Sequence, residues 1–416
     1  MQEAILYPRY LRPRIVEALA DSPVILLHGP RQCGKTTLAR LVGDEAGFAY
    51  FTFDDDVQRA AAQADPVGYV ADLPRRAVLD EVQRVPELFT SLKKAVDSRR
   101  EPGRFILTGS ANVLLLPKLA DSLAGRMEIL RLHPLSQAEL AGEASGFLSM
   151  LFKTGFKSEK SGRRLGMALA ERVAAGGYPA ALARAKARRR MAWYRDYAET
   201  LIQRDILDLA RISALDALPR LLTLVAGQTA CLMNVSELAA PFQLSRPTIR
   251  EYMTLLSRIF LLEELSSWHS NRMKRLVKTP KLHMGDTGLS CTLLGMDAES
   301  LWKDRVVYGK LLETFIYQEL RRQASWEEET FAFSHFRDKD KVEVDIILES
   351  GGKVAGVEVK AASTVTSDDF KGLRKLQNAV QTRFTEGVVL YDGDAVAGFG
   401  DHLYAVPISS LWKARR

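Results

Sequence analysis

Between residues 24 and 132 short apolar runs alternate with stretches of helical spacing. The runs are VILLH from Val24, FAYFTF from Phe48, AVLDE from Ala77, RFILTGS from Arg104 and MEILRL from Met127. Near-continuous apolar strands separated by helices predict a parallel sheet covered on both faces, because crossover helices pack on each side of it. The segment from Leu148 to Gly166 loses this period. It is rich in Gly, Ser and Lys with Phe152 and Phe156 interleaved, and reads as an inserted loop. Residues 165–212 return to a helical pattern, broken at GGYP from Gly176 to Pro179.

From residue 215 a helix (ALDALPRLLTLVAGQTA) is followed by a shorter one (SELAAPF), a turn at Gln243 and Leu244, and a longer helix from Ser245. Ser245 suits an N-cap and Pro247 the first turn, where its missing N–H costs nothing. Ile249, Met253, Leu256, Ile259 and Phe260 fall on one face of that helix, which leaves Arg246, Thr248 and Arg250 to face outward. EELSSW and PKLHM, joined through a basic stretch, read as a β-hairpin. Two helices, a recognition helix and a basic hairpin describe a winged helix-turn-helix, with DNA contacts expected from Arg246, Thr248, Arg250, Arg272, Lys274 and Arg275. The last segment gives a helix from Tyr308, strands FAFSHFR, VEVDIILES and KVAGVEVK, a helix DDFKGLRKLQNAV and a strand GVVLYD, a second α/β domain. The expected division is 1–145, 146–212, 213–300 and 301–416.

Composition narrows the class. A chain of 416 residues, 47% hydrophobic and 26% charged, is globular and too long for one core; disordered and collagen-like classes are excluded. No apolar run approaches the ~18–20 residues that span a bilayer, and the start lacks a secretory apolar stretch, so a cytoplasmic protein without a membrane segment is expected. Cys33, Cys231 and Cys291 lie far apart, which argues against a disulfide framework or a thiolate zinc site and leaves oxygen ligands for any metal. Lys plus Arg exceeds Asp plus Glu, 58 to 51, for a net charge of +7. The excess bunches at 153–164, 184–190 and 272–281, which points to a polyanion or to solvated helix faces.

The strongest chemical signal is Gly29-Pro30-Arg31-Gln32-Cys33-Gly34-Lys35-Thr36, followed by Thr37, directly after the first strand and opening a helix. A G-x-x-x-x-G-K-T loop in that setting curls its backbone N–H groups around phosphates. Lys35 would reach the β- and γ-oxygens of ATP and Thr36 would ligate Mg²⁺. The strand ending in Asp80 and Glu81 supplies a second Mg²⁺ position and a water-activating acid. A third strand ends with Ser110 as the candidate sensor of the γ-phosphate, Asn112 being the alternative. Arg126, after SLAG and before a strand, is a candidate for offsetting charge at a neighbouring subunit's γ-phosphate, a role implied by the family resemblance given below; the alternative is a surface arginine capping a helix.

The elements GPRQCGKTTLAR, AVLDEVQRVPELF, ILTGSANVLL, SLAGR, HPLSQAEL and GGYPAAL, with RLVKTPKLHMGDTGL, YGKLLETFIYQEL, VEVDIIL and GVEVK, resemble a prokaryotic family. Its members pair an AAA+ ATPase core with a C-terminal domain of unknown function. The resemblance implies a P-loop parallel sheet with a helical lid, a winged helix-turn-helix and a restriction-endonuclease-like α/β domain. In that last domain Glu313, Asp345, Glu358 and Lys360 form a D…E-x-K pattern. Side chains two apart on a strand share a face, so Asp345 and Glu358 could hold a metal with Glu313 and Lys360 beside them, or the fold could serve assembly alone. The resulting expectation is a Mg²⁺-dependent ATPase acting on DNA, branched DNA included, as a homo-oligomeric ring with a hexamer favoured. The alternatives are an ATP-gated nuclease and a nucleotide-switched regulator of protein partners.

Overall fold

The computed structural model describes residues 6–110, 123, 125–160, 164–206, 216–269 and 279–413. The expected DNA contacts Arg272, Lys274 and Arg275 and the alternative sensor Asn112 lie outside them. Two compact units form: one from Pro8–Leu135 with Arg258–Phe260, the other from Ser136–Ser257 and Leu261–Arg416 with the N-terminal residues.

In the first unit α1 (Arg12–Asp21) leads into β1 (Val24–His28), α2 (Lys35–Glu45), β2 (Ala49–Thr52), α3 (Asp56–Ala64), α4 (Pro66–Ala71), β3 (Ala77–Asp80), α5 (Leu88–Ser98), β4 (Phe105–Gly109) and β5 (Met127–Arg131). The five strands form one parallel sheet in the order β2-β3-β4-β1-β5. The pleat divides its apolar side chains into two cores. Val24, Leu26, Leu79 and Leu107 meet Leu88, Phe89, Leu92 and Val96 on one face. Ile25, Leu27, Val78 and Ile106 meet Ile15 of α1 and Leu38, Ala39 and Val42 of α2 on the other. Every β1 side chain is therefore buried, which is why the strand reads as an unbroken apolar run.

His28 closes β1. Burial, reinforced by the positive charges of Arg131 and Lys35, pushes its pKa down to about 3. The folded imidazole therefore stays neutral where the unfolded one takes up a proton below its ordinary value of 6.5. Its contribution is complete above that pH and is lost as pH falls toward 3, at about 1.4 kcal/mol per pH unit for one proton. Urea midpoints followed from pH 7 to 4 should fall less steeply in His28→Gln than in the wild type; parallel slopes would contradict this.

In the second unit α6 (Gln137–Ala141) precedes one helical turn at Phe147–Ser149 that widens into a π-helical turn at Met150–Thr154. A loop was expected there. The composition misleads because Phe147, Leu148, Leu151, Phe152 and Phe156 are all buried, with Phe152 edge-on to Phe331 and Phe156 tilted against Tyr404. Three of the segment's cations have acidic neighbours: Lys153 pairs with Glu329, Arg164 with Asp392 at 3.3 Å, and Lys160 lies 3.8 Å from Asp394.

Helices α7 (Met167–Ala175), α8 (Ala187–Thr200), α9 (Ala217–Gly227), α10 (Val235–Ala239) and α11 (Arg246–Arg258) follow. Ser245 caps α11 through the Thr248 N–H at 3.2 Å, and the helix buries Ile249, Tyr252, Met253, Leu255 and Leu256. Strands β6 (Cys231–Leu232), β7 (Leu262–Leu265) and β8 (Lys281–Met284) form an antiparallel sheet in the order β6-β8-β7.

Beyond α12 (Thr287–Leu293) and the long α13 (Arg305–Ala324), six strands make a mixed sheet. These are β9 (Ala332–Arg337), β10 (Glu343–Ser350), β11 (Lys353–Lys360), β12 (Phe384–Tyr391), β13 (Ala397–Gly400) and β14 (Leu403–Pro407), in the order β13-β14-β12-β11-β10-β9. Helix α14 (Lys371–Val380) crosses between β11 and β12, placing Leu373 and Leu376 in the core with Val344 and Val354. A buried polar network explains several motifs of this unit. Asp286 caps α12 through the Gly288 and Leu289 N–H groups, accepts from the Gly177 N–H at 2.8 Å and faces Arg322 at 3.6 Å. A Cβ at Gly176 would lie 2.2 Å from Asp286 Oδ1, so glycine is required there.

Candidate functional site: the loop after the first strand

The loop joining β1 to α2 is built from three left-handed positions, Gly29 (φ 151°), Gln32 (φ 63°) and Gly34 (φ 102°). Gly29 is fixed by packing as well as by conformation. A Cβ there would stand 2.1 Å from the Leu132 carbonyl oxygen at the end of β5, a close approach no other residue permits. Arg9 braces the loop, donating to the carbonyls of Cys33 at 2.9 Å and His133 at 2.5 Å, while the Cys33 thiol faces the Leu132 carbonyl at 3.5 Å. Lys35 opens α2 and is buried, its ammonium donating to the carbonyls of Gly29 at 3.0 Å and Pro30 at 2.8 Å. These bonds keep the charge inside the loop, where it must exchange carbonyl partners to meet a phosphate.

Thr36 and Asp80 come together as their spacing suggested. The Thr36 hydroxyl donates to both Asp80 oxygens, at 2.9 and 3.1 Å. Two further donors to Asp80 were not read from the sequence: Tyr50 OH at 2.9 Å from β2, and the Thr108 hydroxyl from β4. Burial, then the hydrogen bond to Asp80, pushes the Tyr50 phenol up to about 12, so it remains a donor. Strand pairing brings these groups together, since β2 and β4 flank β3. The donors are all oxygens around one carboxylate, a set that fits a hard divalent cation such as Mg²⁺.

Glu81 follows Asp80 in the left-handed region at φ 59°, a conformation costly for a residue with a Cβ. Its N–H offsets part of that cost by donating to Thr108 Oγ at 3.1 Å. The turn aims the Glu81 side chain away from Asp80's set of partners and toward Ser110, whose hydroxyl donates to Glu81 Oε2 at 2.9 Å. Gln83 completes the arrangement. Its amide donates to Ser110 Oγ at 2.9 Å and to Glu81 Oε2. Sequence reading missed Gln83, although its spacing of two from Glu81 in a turn was a usable signal.

Arg126 lies at the other end of the sheet. Parallel pairing sets Met127 opposite Val24 and Arg131 opposite His28, so Arg126 precedes the strand end from which the loop departs by a full strand length. That separation, five residues from Arg126 to Arg131, is about 16 Å along β5 at ~3.3 Å per residue, before the loop is counted. Its guanidinium makes a two-pronged contact with Asp97 of α5, one arm at 3.1 Å, and these hydrogen bonds hold the Asp97 carboxyl below its ordinary range.

A G-x-x-x-x-G-K-T loop on a central parallel strand, with an acid pair on the next strand but one, is joined by a match of residues 21–141 to the AAA domain family. The first unit is an AAA-type P-loop ATPase domain. Downstream of this AAA domain, residues 167–300 match the domain of unknown function DUF8612 and residues 308–411 the domain of unknown function DUF4143. Along almost the whole chain it is similar to uncharacterized protein Rv2008c of Mycobacterium tuberculosis and uncharacterized protein Mb2031c of Mycobacterium bovis. Each is 29% identical over 399 residues, covering 96% of this chain and 83% of the relative. Among solved structures, the Walker-type ATPase PABY2304 of Pyrococcus abyssi aligns at 16% identity and a TM-score of 0.41, over 70% of this chain and 97% of its own. The RuvB Holliday junction branch migration motor of Thermotoga maritima aligns at 19% and 0.28, over 61% and 88%.

The AAA domain's acid pair also yields a test of Gln83. Gln83→Ala should leave nucleotide affinity unchanged and lower turnover by about 10²-fold, since a carboxylate displaced by ~1 Å loses that much. Rescue by Gln83→Asn would contradict a role set by reach.

The other expected sites are placed as follows. Arg246 and Arg250 are exposed one turn apart on α11, and Thr248 is half-buried with its hydroxyl 2.8 Å from that of Ser245. Glu313, Asp345, Glu358 and Lys360 lie around the adjoining inner strands β10 and β11 of the mixed sheet, and a residue the sequence reading did not include, Lys281 of β8, reaches Glu313 and Asp345. Among the described residues no three His, Cys, Asp or Glu side chains converge closely enough to hold a metal ion. Nor is any described helix long and apolar enough to cross a membrane.

Proposed function

We propose that the chain is a Mg²⁺-dependent ATPase that acts on DNA as a homo-oligomer in the cytoplasm. The observation that carries the hydrolytic reading is the pair of adjacent acids with separate duties. Asp80 is bound to Thr36, and Glu81 is turned away to Ser110 and Gln83. In this reading Thr36 and Asp80 hold Mg²⁺, which supplies charge against the phosphate oxygens. The loop N–H groups and Lys35 bind the β- and γ-phosphates. Glu81 orients the attacking water and accepts its proton, while Ser110 reports the γ-phosphate to Glu81. Arg126, a strand length from its own loop, serves the site of a neighbouring subunit, so that hydrolysis requires a ring-like assembly, a hexamer being the favoured size.

The DNA reading rests on α9, α10 and α11 with the β6-β8-β7 sheet, an arrangement that suits a winged helix-turn-helix with α11 as the recognition helix. Arg246 and Arg250 project from its first turns, into reach of phosphates. If both contact phosphates, changing them together to Ala should flatten the slope of log affinity against log salt by about two units, ~0.9 for each phosphate lost. Fluorescence anisotropy on labelled duplex from 50 to 300 mM salt measures it. An unchanged slope would move the DNA surface off α11.

A further inference from the structure

The three acids of the D…E-x-K pattern, Glu313 from α13, Asp345 from β10 and Glu358 from β11, lie near one another in the second unit without converging as the ligands of one ion would. A cation is already there. Lys281, in β8 and only 4% exposed, places its Nζ 2.7 Å from Glu313 Oε1 and 3.3 Å from Asp345 Oδ1. The other Asp345 oxygen accepts the Val359 N–H at 3.0 Å. Lys360 Nζ donates to Glu358 Oε1 at 3.1 Å and stands 3.7 Å from Asp369, while Glu358 Oε2 is closed off from solvent and has no hydrogen-bond partner in the described structure.

The distances are those of an ammonium. Mg²⁺ draws its oxygens to about 2.0–2.1 Å, and its point of convergence between Glu313 and Asp345 is the volume the Lys281 Nζ fills, so the two cations exclude each other.

Lys281 also comes from outside the 308–411 match. Its hairpin joins the mixed sheet at a second point. The Trp268 N–H donates to the His335 carbonyl at 2.6 Å and the His335 N–H to the Ser266 carbonyl at 2.9 Å. The Trp268 ring is buried in the same core as Val344 and Phe370, edge-on to Phe336 at 6.2 Å.

We propose that Lys281 is the resident cation of this site: the acids of the nuclease-like pattern bind a protein ammonium in place of a divalent ion and so fasten the β7–β8 hairpin to the mixed sheet. The terminal domain is then a docking platform for the hairpin, and not a metal-dependent cutter of DNA. The inference is independent of the ATPase reading.

The test is Mn²⁺ binding to the full chain without nucleotide, read by the loss of the free-ion EPR signal. Wild type and Asp345→Asn should take up Mn²⁺ identically. Lys281→Met should gain one ion per chain, and adding Asp345→Asn to it should weaken that uptake by about 10-fold or more. Wild-type uptake that Asp345→Asn abolishes would overturn the proposal, as would a folded Lys281→Met chain that gains no ion. Should Lys281→Met not fold, the wild-type comparison still decides, together with acylation of Lys281 followed by mass spectrometry. Labelling that stays slow when Mn²⁺ is added supports the resident ammonium, and labelling accelerated by Mn²⁺ contradicts it.

Discussion

Arg126→Ala is expected to leave ATP bound and to slow its hydrolysis on the order of 10³-fold, the scale of an arginine that stabilises charge in the transition state and not in the ground state. The register of β5 against β1 makes this a statement about two chains. Arg126 stands before the strand end opposite the loop, so it cannot reach the phosphates held by its own Lys35 and Thr36. Within one chain it is occupied by Asp97 on the surface, an ion pair of small worth that a phosphate can replace. Mixing Arg126→Ala protein with Glu81→Gln protein should restore part of the activity, since some interfaces then join an intact arginine to an intact acid. Two inactive proteins that stay inactive after subunit exchange would mean that no arginine is supplied in trans.

Glu81→Gln should bind ATP with near wild-type affinity and turn it over about 10²- to 10⁴-fold more slowly, the range for removing a positioned general base. The amide keeps the shape of the carboxylate and can still meet Ser110 and Gln83, so structure and binding are preserved while proton acceptance is lost. Lys35→Ala should fail differently. It removes a charge that meets the phosphates before and during the reaction, so affinity itself falls. Equilibrium binding of a fluorescent ATP analogue beside single-turnover hydrolysis separates the two; near wild-type turnover in Glu81→Gln would remove Glu81 from the chemistry.

The core of the AAA domain was legible because its strands are buried on both faces and its loop carries the glycines of the G-x-x-x-x-G-K-T pattern, Gly29 where a side chain would strike Leu132 and Gly34 at φ 102°. Local spacing also marked Asp80 and Glu81 as candidates. Tyr50 and Thr108 could not be read in the same way, since nothing near them in the chain marks them. Only the sheet order, with β3 between β2 and β4, brings their hydroxyls to Asp80. Lys281 is the extreme case. It lies 32 residues from Glu313 and 64 from Asp345, and in the sequence it is one more member of a basic cluster. The 147–154 turns were masked by their own composition, because Gly, Ser and Lys advertise a loop while the phenylalanines between them find a core. The strand β13, short and punctuated by glycine, gave no apolar run to find, whereas β14 (LYAVP) is an apolar run that the reading passed over.

The central claim is that ATP hydrolysis by the AAA domain is coupled to DNA held by the second unit, and steady-state ATPase rates of the full chain with Mg²⁺ measure that coupling most directly. Rates are compared without nucleic acid and with single-stranded, duplex and four-way-junction DNA, with Glu81→Gln protein as the baseline. The account predicts hydrolysis above that baseline that rises when at least one of these DNAs is added, and whose rise is lost in the Arg246→Ala, Arg250→Ala double variant. Hydrolysis indifferent to all three DNAs, under conditions where the chain binds them, would contradict it.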